Sequence, residues 1–145
     1  MFKFTGKEDQ YIIDKLYCSR LDAATGMIDL EQELELASVD GDAGAEILVG
    51  ATGEYIYASS RGSGVVVVYR LETDDTLTKI QEFKLEGTWP RSMAIRDSMM
   101  VVIDQFGDSL QVLNIDQQTG LLSANTDGQN VWATPPGPSF VDFME

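Results

Sequence analysis

The stretch Gly44 to Gly64, GAEILVGATGEYIYASSRGSG, places Glu46 at the head of one short apolar run and Arg61 just past the end of another. Arg91 in WPRSMAI lies 45 positions after Glu46, and Gln105 in VVIDQF lies 44 after Arg61. The 145 residues include no histidine and a single cysteine, Cys18, so the commonest general base is absent. Proton transfer must then fall to carboxylates, Lys, Tyr or Arg. A carboxylate such as Glu46 can take a proton from water, and an arginine offers planar, permanently charged donors that suit a carboxylate, a phosphate or a developing oxyanion. One thiol excludes an internal disulfide, and without histidine the usual zinc and copper ligand sets are missing, so neither metal nor cofactor is expected.

Other polar groupings have plainer readings. VDGDAGAE (39–46) is acidic enough for calcium but lacks the D-x-D-x-D-G spacing, and reads as an acidic loop. Ser63 in RGSGV lacks both framing glycines of a nucleophile elbow, and TGKED (5–9) lacks the upstream glycine of a phosphate loop. Cys18, Met93, Met99 and Met100 stand in apolar runs and read as core. The acidic residues from Asp29 to Glu35 read as a solvated outer edge strand.

Composition narrows the partners. Hydrophobic residues at 43% and aromatics at 9% suffice for a globular core, while 24 acidic against 10 basic residues give a net charge of −14. Such a chain repels phosphate backbones and anionic lipid, so nucleic acid and membrane surfaces are poor partners. A few arginines concentrated in one pocket can still capture an anionic small molecule, because the local field dominates at contact distance. MFKFTGKEDQ carries no apolar segment of the signal-peptide kind, and the longest apolar runs, Val65–Tyr69 and Met99–Ile103, are far too short to span a bilayer. A cytoplasmic setting is the expectation.

The elements that must position these residues are short strands rich in Val, Ile, Tyr and Phe, separated by Gly, Asp, Thr and Asn clusters. Strands are expected near 11–21, 27–36, 45–50, 54–60, 64–71, 77–84, 90–95, 98–104, 109–115, 120–125 and 138–143. They repeat: Leu71 and Leu77 of one hairpin fall on Ile115 and Leu121 of another, each pair 44 residues apart. Leu21 stands 50 before Leu71 in a third copy. A period of this size holding four strands is the spacing of propeller blades. The fold class is therefore all-β, a partial β-propeller of about two complete four-stranded antiparallel blades plus an outer hairpin and a final inner strand. Residues 1–37 would be outer strands of a preceding blade, 38–86 and 87–130 complete blades, and 131–145 the C-terminal inner strand of a further one. A closed propeller of four to eight such blades needs roughly 180 to 360 residues. The open blade edges are accordingly expected to seek a partner, a second copy of the chain included.

In a blade the inner strand runs away from one face of the disc, the second strand climbs back, and the loop after it returns to that face. Glu46 and Arg91 begin the inner strands of adjacent blades, and Arg61 and Gln105 occupy equivalent loops, so all four should converge on one mouth of the central channel. Glu54 should fall at the opposite face as a solvated turn residue. The plain structural alternative is that Glu46 and Arg91 merely form an interblade ion pair.

Ala45-Glu46-Ile47, Ser59-Ser60-Arg61-Gly62, Trp89-Pro90-Arg91 and the hairpins Asp22–Gly26 and Asp116–Gly120 follow one another in an order and spacing that resembles the seven-bladed propeller lactonases. That family includes propeller-type 6-phosphogluconolactonases and the carboxy-muconate cyclase. No G-H or W-D pair occurs, against a WD40 array. The resemblance covers the C-terminal third or so of a family member, so the family's active-site histidine would lie in earlier blades. Thr52-Gly53 stand where the family carries Pro-Asp, and Ser60 replaces its Asn. By this resemblance Glu46 serves acid/base work or substrate orientation and Arg91 anion binding, with Arg61 and Gln105 as substrate-binding residues. The implied substrate is an anionic lactone or diacid, and the implied reaction is lactonase-like hydrolysis of a sugar lactone such as 6-phosphogluconolactone. A muconate-type cycloisomerase, or a non-catalytic propeller fragment acting through assembly, are the alternatives.

Overall fold

The computed structural model describes residues 2–5, 15–36, 42–125 and 128–144. Strands β1 (Phe2–Thr5), β2 (Lys15–Leu21) and β3 (Ile28–Glu35) form an antiparallel sheet in the order β1-β2-β3. Strands β4 (Ala43–Val49), β5 (Tyr55–Arg61), β6 (Val65–Leu71) and β7 (Leu77–Lys84) form a four-stranded antiparallel meander. A second meander follows with β8 (Pro90–Arg96), β9 (Met99–Asp104), β10 (Ser109–Ile115) and β11 (Leu122–Ala124). Both are propeller blades with β4 and β8 as inner strands, and the whole is a partial β-propeller. Among the described residues no helix is long and apolar enough to cross a membrane.

Hairpin ends owe their shape to local chemistry. Asp22 accepts the amides of Ala24 and Thr25 and its carbonyl takes Gly26 N–H; Asp116 does the same with Gln118, Thr119 and Gly120. Gly26 and Gly120 close these turns at φ +72° and +71°, where a side chain is strained. Glu54 is an exposed turn residue.

The apolar runs of β5 and β6 are continuous because the blade they belong to is covered on both faces. Alternate residues of β5 and β6, Ile56, Ala58, Val65, Val67 and Tyr69, pack toward β2 and β3 with Leu16 and Leu36. The intervening Tyr55, Tyr57, Val66 and Val68 pack toward the next blade with Met93, Met100, Val102 and Leu113. Met93 and Met100 are thus core, while Cys18 is half-buried beside the first cluster and burial pushes its thiol up. The outward half of β3, Ile28–Glu31, is exposed.

Side-chain amides stitch the blades where no ladder does. Gln32 of β3 donates Nε2 to Leu77 O at 2.9 Å and accepts Leu77 N–H at 2.7 Å; Gln81 of β7 makes the same pair with Leu122 at 2.9 and 2.7 Å. Each glutamine acts as one extra peptide unit and satisfies buried backbone groups at the start of the next outermost strand. Tyr55 and Tyr57 hydroxyls likewise donate to Gln118 O and Gly120 O in the neighbouring turn.

Three features depart from the expected strands, the first being β1, which adds a third strand beside the expected outer hairpin of β2 and β3. β12 (Val131–Ala133) pairs with the first half of β10, so the outer edge of this blade is made in two pieces, β11 opposite 113–115 and β12 opposite 109–111. Residues 138–143 run without a ladder among the described residues. They still lie beside β8 on its channel side: Arg96 donates Nη1 to Met144 O at 3.3 Å and its guanidinium sits 4.3 Å from the Phe143 ring centroid. Positions 11–14 of the first expected strand lie outside the described residues.

Candidate functional site

Glu46 and Arg91 stand at matching irregularities. In the β4–β5 ladder Gly44 pairs with Ser60 and Ile47 with Ala58, so two residues, Ala45 and Glu46, oppose Ser59 alone. In β8–β9, Pro90 pairs with Asp104 and Ser92 with Ile103, leaving Arg91 unpaired. A bulge of this kind re-aims a side chain at the rim of a sheet. Glu46 N–H donates to the buried Ser59 hydroxyl at 3.1 Å, which replaces the lost ladder bond.

The Glu46 carboxylate reaches across to the next blade, where Ser92 Oγ donates to Oε2 at 3.2 Å. Ser92 is 2% exposed, so this donor is fixed from behind. The interblade ion pair with Arg91 does not form: Arg91 is exposed and makes no hydrogen bond or ion pair among the described residues. The bulge that unpairs Arg91 turns it away from the seam and leaves the short serine to face the carboxylate.

Arg61 is anchored. Its Nε donates to Ala43 O at 3.1 Å and Nη2 to Gly44 O at 3.0 Å, at the start of the inner strand bearing Glu46. Its guanidinium lies 5.7 Å from the Trp89 ring centroid, and Trp89 stacks on Phe106 with centroids 4.9 Å apart. Gln105 N–H donates to Trp89 O at 3.1 Å. The four expected residues therefore sit around one end of the blades, linked through backbone and through Trp89, but no hydrogen bond or ion pair joins any two of them among the described residues.

Four residues that shape this rim have no site role in the sequence reading: Ser92, Asp104, Trp89 of the W-P-R motif and Asp42 of the acidic loop. Asp104, 8% exposed, accepts the amides of Thr88, Trp89, Phe106 and Gly107 at 2.7 to 3.3 Å. Asp42, 1% exposed, accepts Ser63 N–H at 2.7 Å and the Ser60 hydroxyl at 3.3 Å. Its carboxylate is consumed inside the loop. Among the described residues no group of three His, Cys, Asp or Glu is arranged to hold a metal ion.

Glu46, Leu48 and Val49 of β4, Met93, Ala94 and Ile95 of β8, and Phe140, Val141 and Asp142 enclose an open groove of about 300 Å³. It runs along the channel side of the two inner strands, apolar below and acidic at its head. A fixed carboxylate over an apolar groove can orient a small polar ring and exchange a proton with water held beside it.

A family model described as lactonase, 7-bladed β-propeller, matches residues 14–141. Similar solved structures include a protein from Lactobacillus plantarum (23% identity, TM-score 0.85, covering 99% of this chain and 42% of that one). A putative 6-phosphogluconolactonase from Bacteroides fragilis has 25% identity and a TM-score of 0.76, over 90% and 37%. The periplasmic gluconolactonase of Pseudomonas aeruginosa has 21% and 0.71, over 85% and 34%. The chain thus spans 34% to 42% of the length of these solved chains. No curated protein matches it significantly. With the family pattern running through nearly its whole length, this chain belongs to the seven-bladed β-propeller lactonase family.

Proposed function

We propose that this chain supplies one wall of a lactonase site that hydrolyses a sugar lactone such as 6-phosphogluconolactone. The observation that carries the reading is the Glu46 carboxylate at the head of the channel-side groove, fixed by Ser92. Membership of a lactonase family, and the gluconolactonase and putative 6-phosphogluconolactonase among the similar structures, support the same chemistry.

In this reading Glu46 takes a proton from a water molecule as the water oxygen adds to the lactone carbonyl carbon. The exposed guanidinium of Arg91 stabilises the oxyanion or holds the substrate's anionic group. Collapse of the tetrahedral adduct breaks the ring C–O bond, and the leaving alkoxide recovers the proton from Glu46. The product is the open-chain hydroxy acid, with one water consumed. Arg61, already committed to two carbonyls, contributes positive field at the mouth, and Gln105 a neutral donor and acceptor.

Titrating acid release from δ-gluconolactone and its 6-phosphate at constant pH tests this. Glu46→Gln should lower kcat by about 100-fold or more, the usual contribution of a positioned acid/base. An unchanged rate removes Glu46 from the chemistry.

A further inference from the structure

We infer that Phe106 and Trp89 form an aromatic platform at the channel mouth on which a six-membered sugar-lactone ring lays its C–H face, making Phe106 a specificity-determining residue. This deepens the lactonase reading and rests on it for the identity of the ring.

Two observations carry it. The rings stack at 4.9 Å and 28°, yet Phe106 is 71% exposed, so its outer surface is open while Trp89 backs it. The pair is also built rigidly, because the single buried carboxylate of Asp104 accepts the backbone amides of both Trp89 and Phe106 at 3.3 and 3.1 Å. A ring that only filled space would be covered.

The neighbouring blade shows that the fold itself asks for neither ring. Residue 44 stands 45 positions before Trp89 and residue 62 stands 44 before Phe106; both are glycine. The same loop returns there to the same end, and Gly62 N–H donates across to Thr88 O of the next blade at 2.8 Å. Among the described residues the aromatic pair occurs in the second blade, Trp89 just before β8 beside Arg61 and Phe106 on the loop after β9.

The chemistry of the pair selects the occupant. Aromatic faces carry partial negative charge and attract the weakly positive C–H bonds that line one face of a pyranose-type ring. Arg61, 5.7 Å from the Trp89 centroid, adds a cation beside the platform for a carboxylate or phosphate substituent on that ring. An open-chain acid has no flat face and gains nothing from the stack. The platform thus favours cyclic substrate over acyclic product, which promotes release after the ring opens.

The test is titration with δ-gluconolactam, a cyclic analogue that water does not open, and with acyclic gluconate, followed by Trp89 fluorescence in a Trp132→Phe background. The lactam should perturb Trp89, and Phe106→Ala should weaken lactam binding about five- to tenfold, the range of an aromatic contact, without changing gluconate binding. Phe106→Tyr should restore it. Equal lactam binding by parent and Phe106→Ala, or no binding by the parent, overturns the platform. The lactonase reading stands or falls separately on hydrolysis by Glu46→Gln, which leaves both rings in place.

Discussion

Ser92 Oγ on one inner strand donates to Glu46 Oε2 on the next at 3.2 Å, a hydrogen bond that joins the two inner strands across the seam between their blades. It gives the carboxylate one fixed direction, since Ser92 is buried and Glu46 N–H is itself tied to Ser59. Ser92→Ala should therefore free the carboxylate without removing it. A lost hydrogen bond to a charged group is worth about 1.5 to 3 kcal/mol, so kcat for lactone hydrolysis should fall about tenfold or more. Ser92→Thr, which keeps the hydroxyl, should retain most of the rate in the same assay, and equal loss in both variants would leave the hydrogen bond without a role.

The two D-x-x-T-G turns separate a backbone requirement from a packing one. Gly26 and Gly120 share φ near +72°, but a Cβ on Gly26 meets nothing within 4 Å, whereas one on Gly120 falls 2.3 Å from the Tyr55 ring. Gly26→Ala should cost about 1 kcal/mol for the left-handed backbone alone. Gly120→Ala should cost that and about 1 to 3 kcal/mol more for overpacking against Tyr55. Urea unfolding of both variants measures the difference, and equal costs would show that the Tyr55 contact relaxes freely.

Much of this was legible beforehand, for a physical reason. β6 and β9 are buried on both faces along most of their length, which writes them as apolar runs between Gly, Asp and Thr turns, and the expected bounds of β5, β6, β9 and β10 fall within one residue of those found. Val131–Ala133 was hidden because a three-residue strand has no pattern of its own and is defined only by its pairing with Ser109–Gln111. Phe140 to Phe143 shows the reverse, a mostly apolar stretch that joins no ladder among the described residues. Around the site, positions were readable from the period but contacts were not. The Glu46–Ser92 contact, in place of the alternative Glu46–Arg91 ion pair, could not be read because bulges are hydrogen-bond events that hydrophobic patterning does not record.

Acid and alkali should each remove a distinct part of the stability. The Thr25 hydroxyl and the amides of Ala24 and Thr25 hold the Asp22 carboxyl below its ordinary 3.8, and the amides of Gln118 and Thr119 do the same for Asp116. A carboxyl depressed in the folded state adds stability that is fully present above the unfolded value and lost as pH falls through the folded one. The advantage of the parent over an Asp22→Asn, Asp116→Asn double variant in melting temperature should thus shrink below pH 4. Burial pushes the Tyr57 phenol up to about 12 from 10, so its contribution is complete below pH 10 and lost between pH 10 and 12. Tyr57→Phe should flatten that alkaline limb, and an unchanged slope would assign it elsewhere.

The two blades solve one capping problem from opposite sides. Asp42 accepts Ser63 N–H at 2.7 Å, and Asp104 accepts the equivalent Gly107 N–H, 44 positions on, at 2.9 Å. Yet Asp42 precedes its inner strand while Asp104 ends its second strand. The position matching Asp42 is Gly87 and the position matching Asp104 is Ser60, so each blade pairs one Asp with one small residue, in exchanged places. The exclusion is steric: a Cβ on Gly87 would lie 1.8 Å from Asp104 Oδ2. Asp104→Ser alone should therefore strip an acceptor from four amides and cost about 2 to 4 kcal/mol. Gly87→Asp alone should crowd two carboxylates into one space and cost a similar amount. The double variant recreates the arrangement of the first blade, and should recover at least about 1.5 kcal/mol of the summed loss. Strictly additive losses in urea unfolding would mean that the two carboxylate positions are not interchangeable.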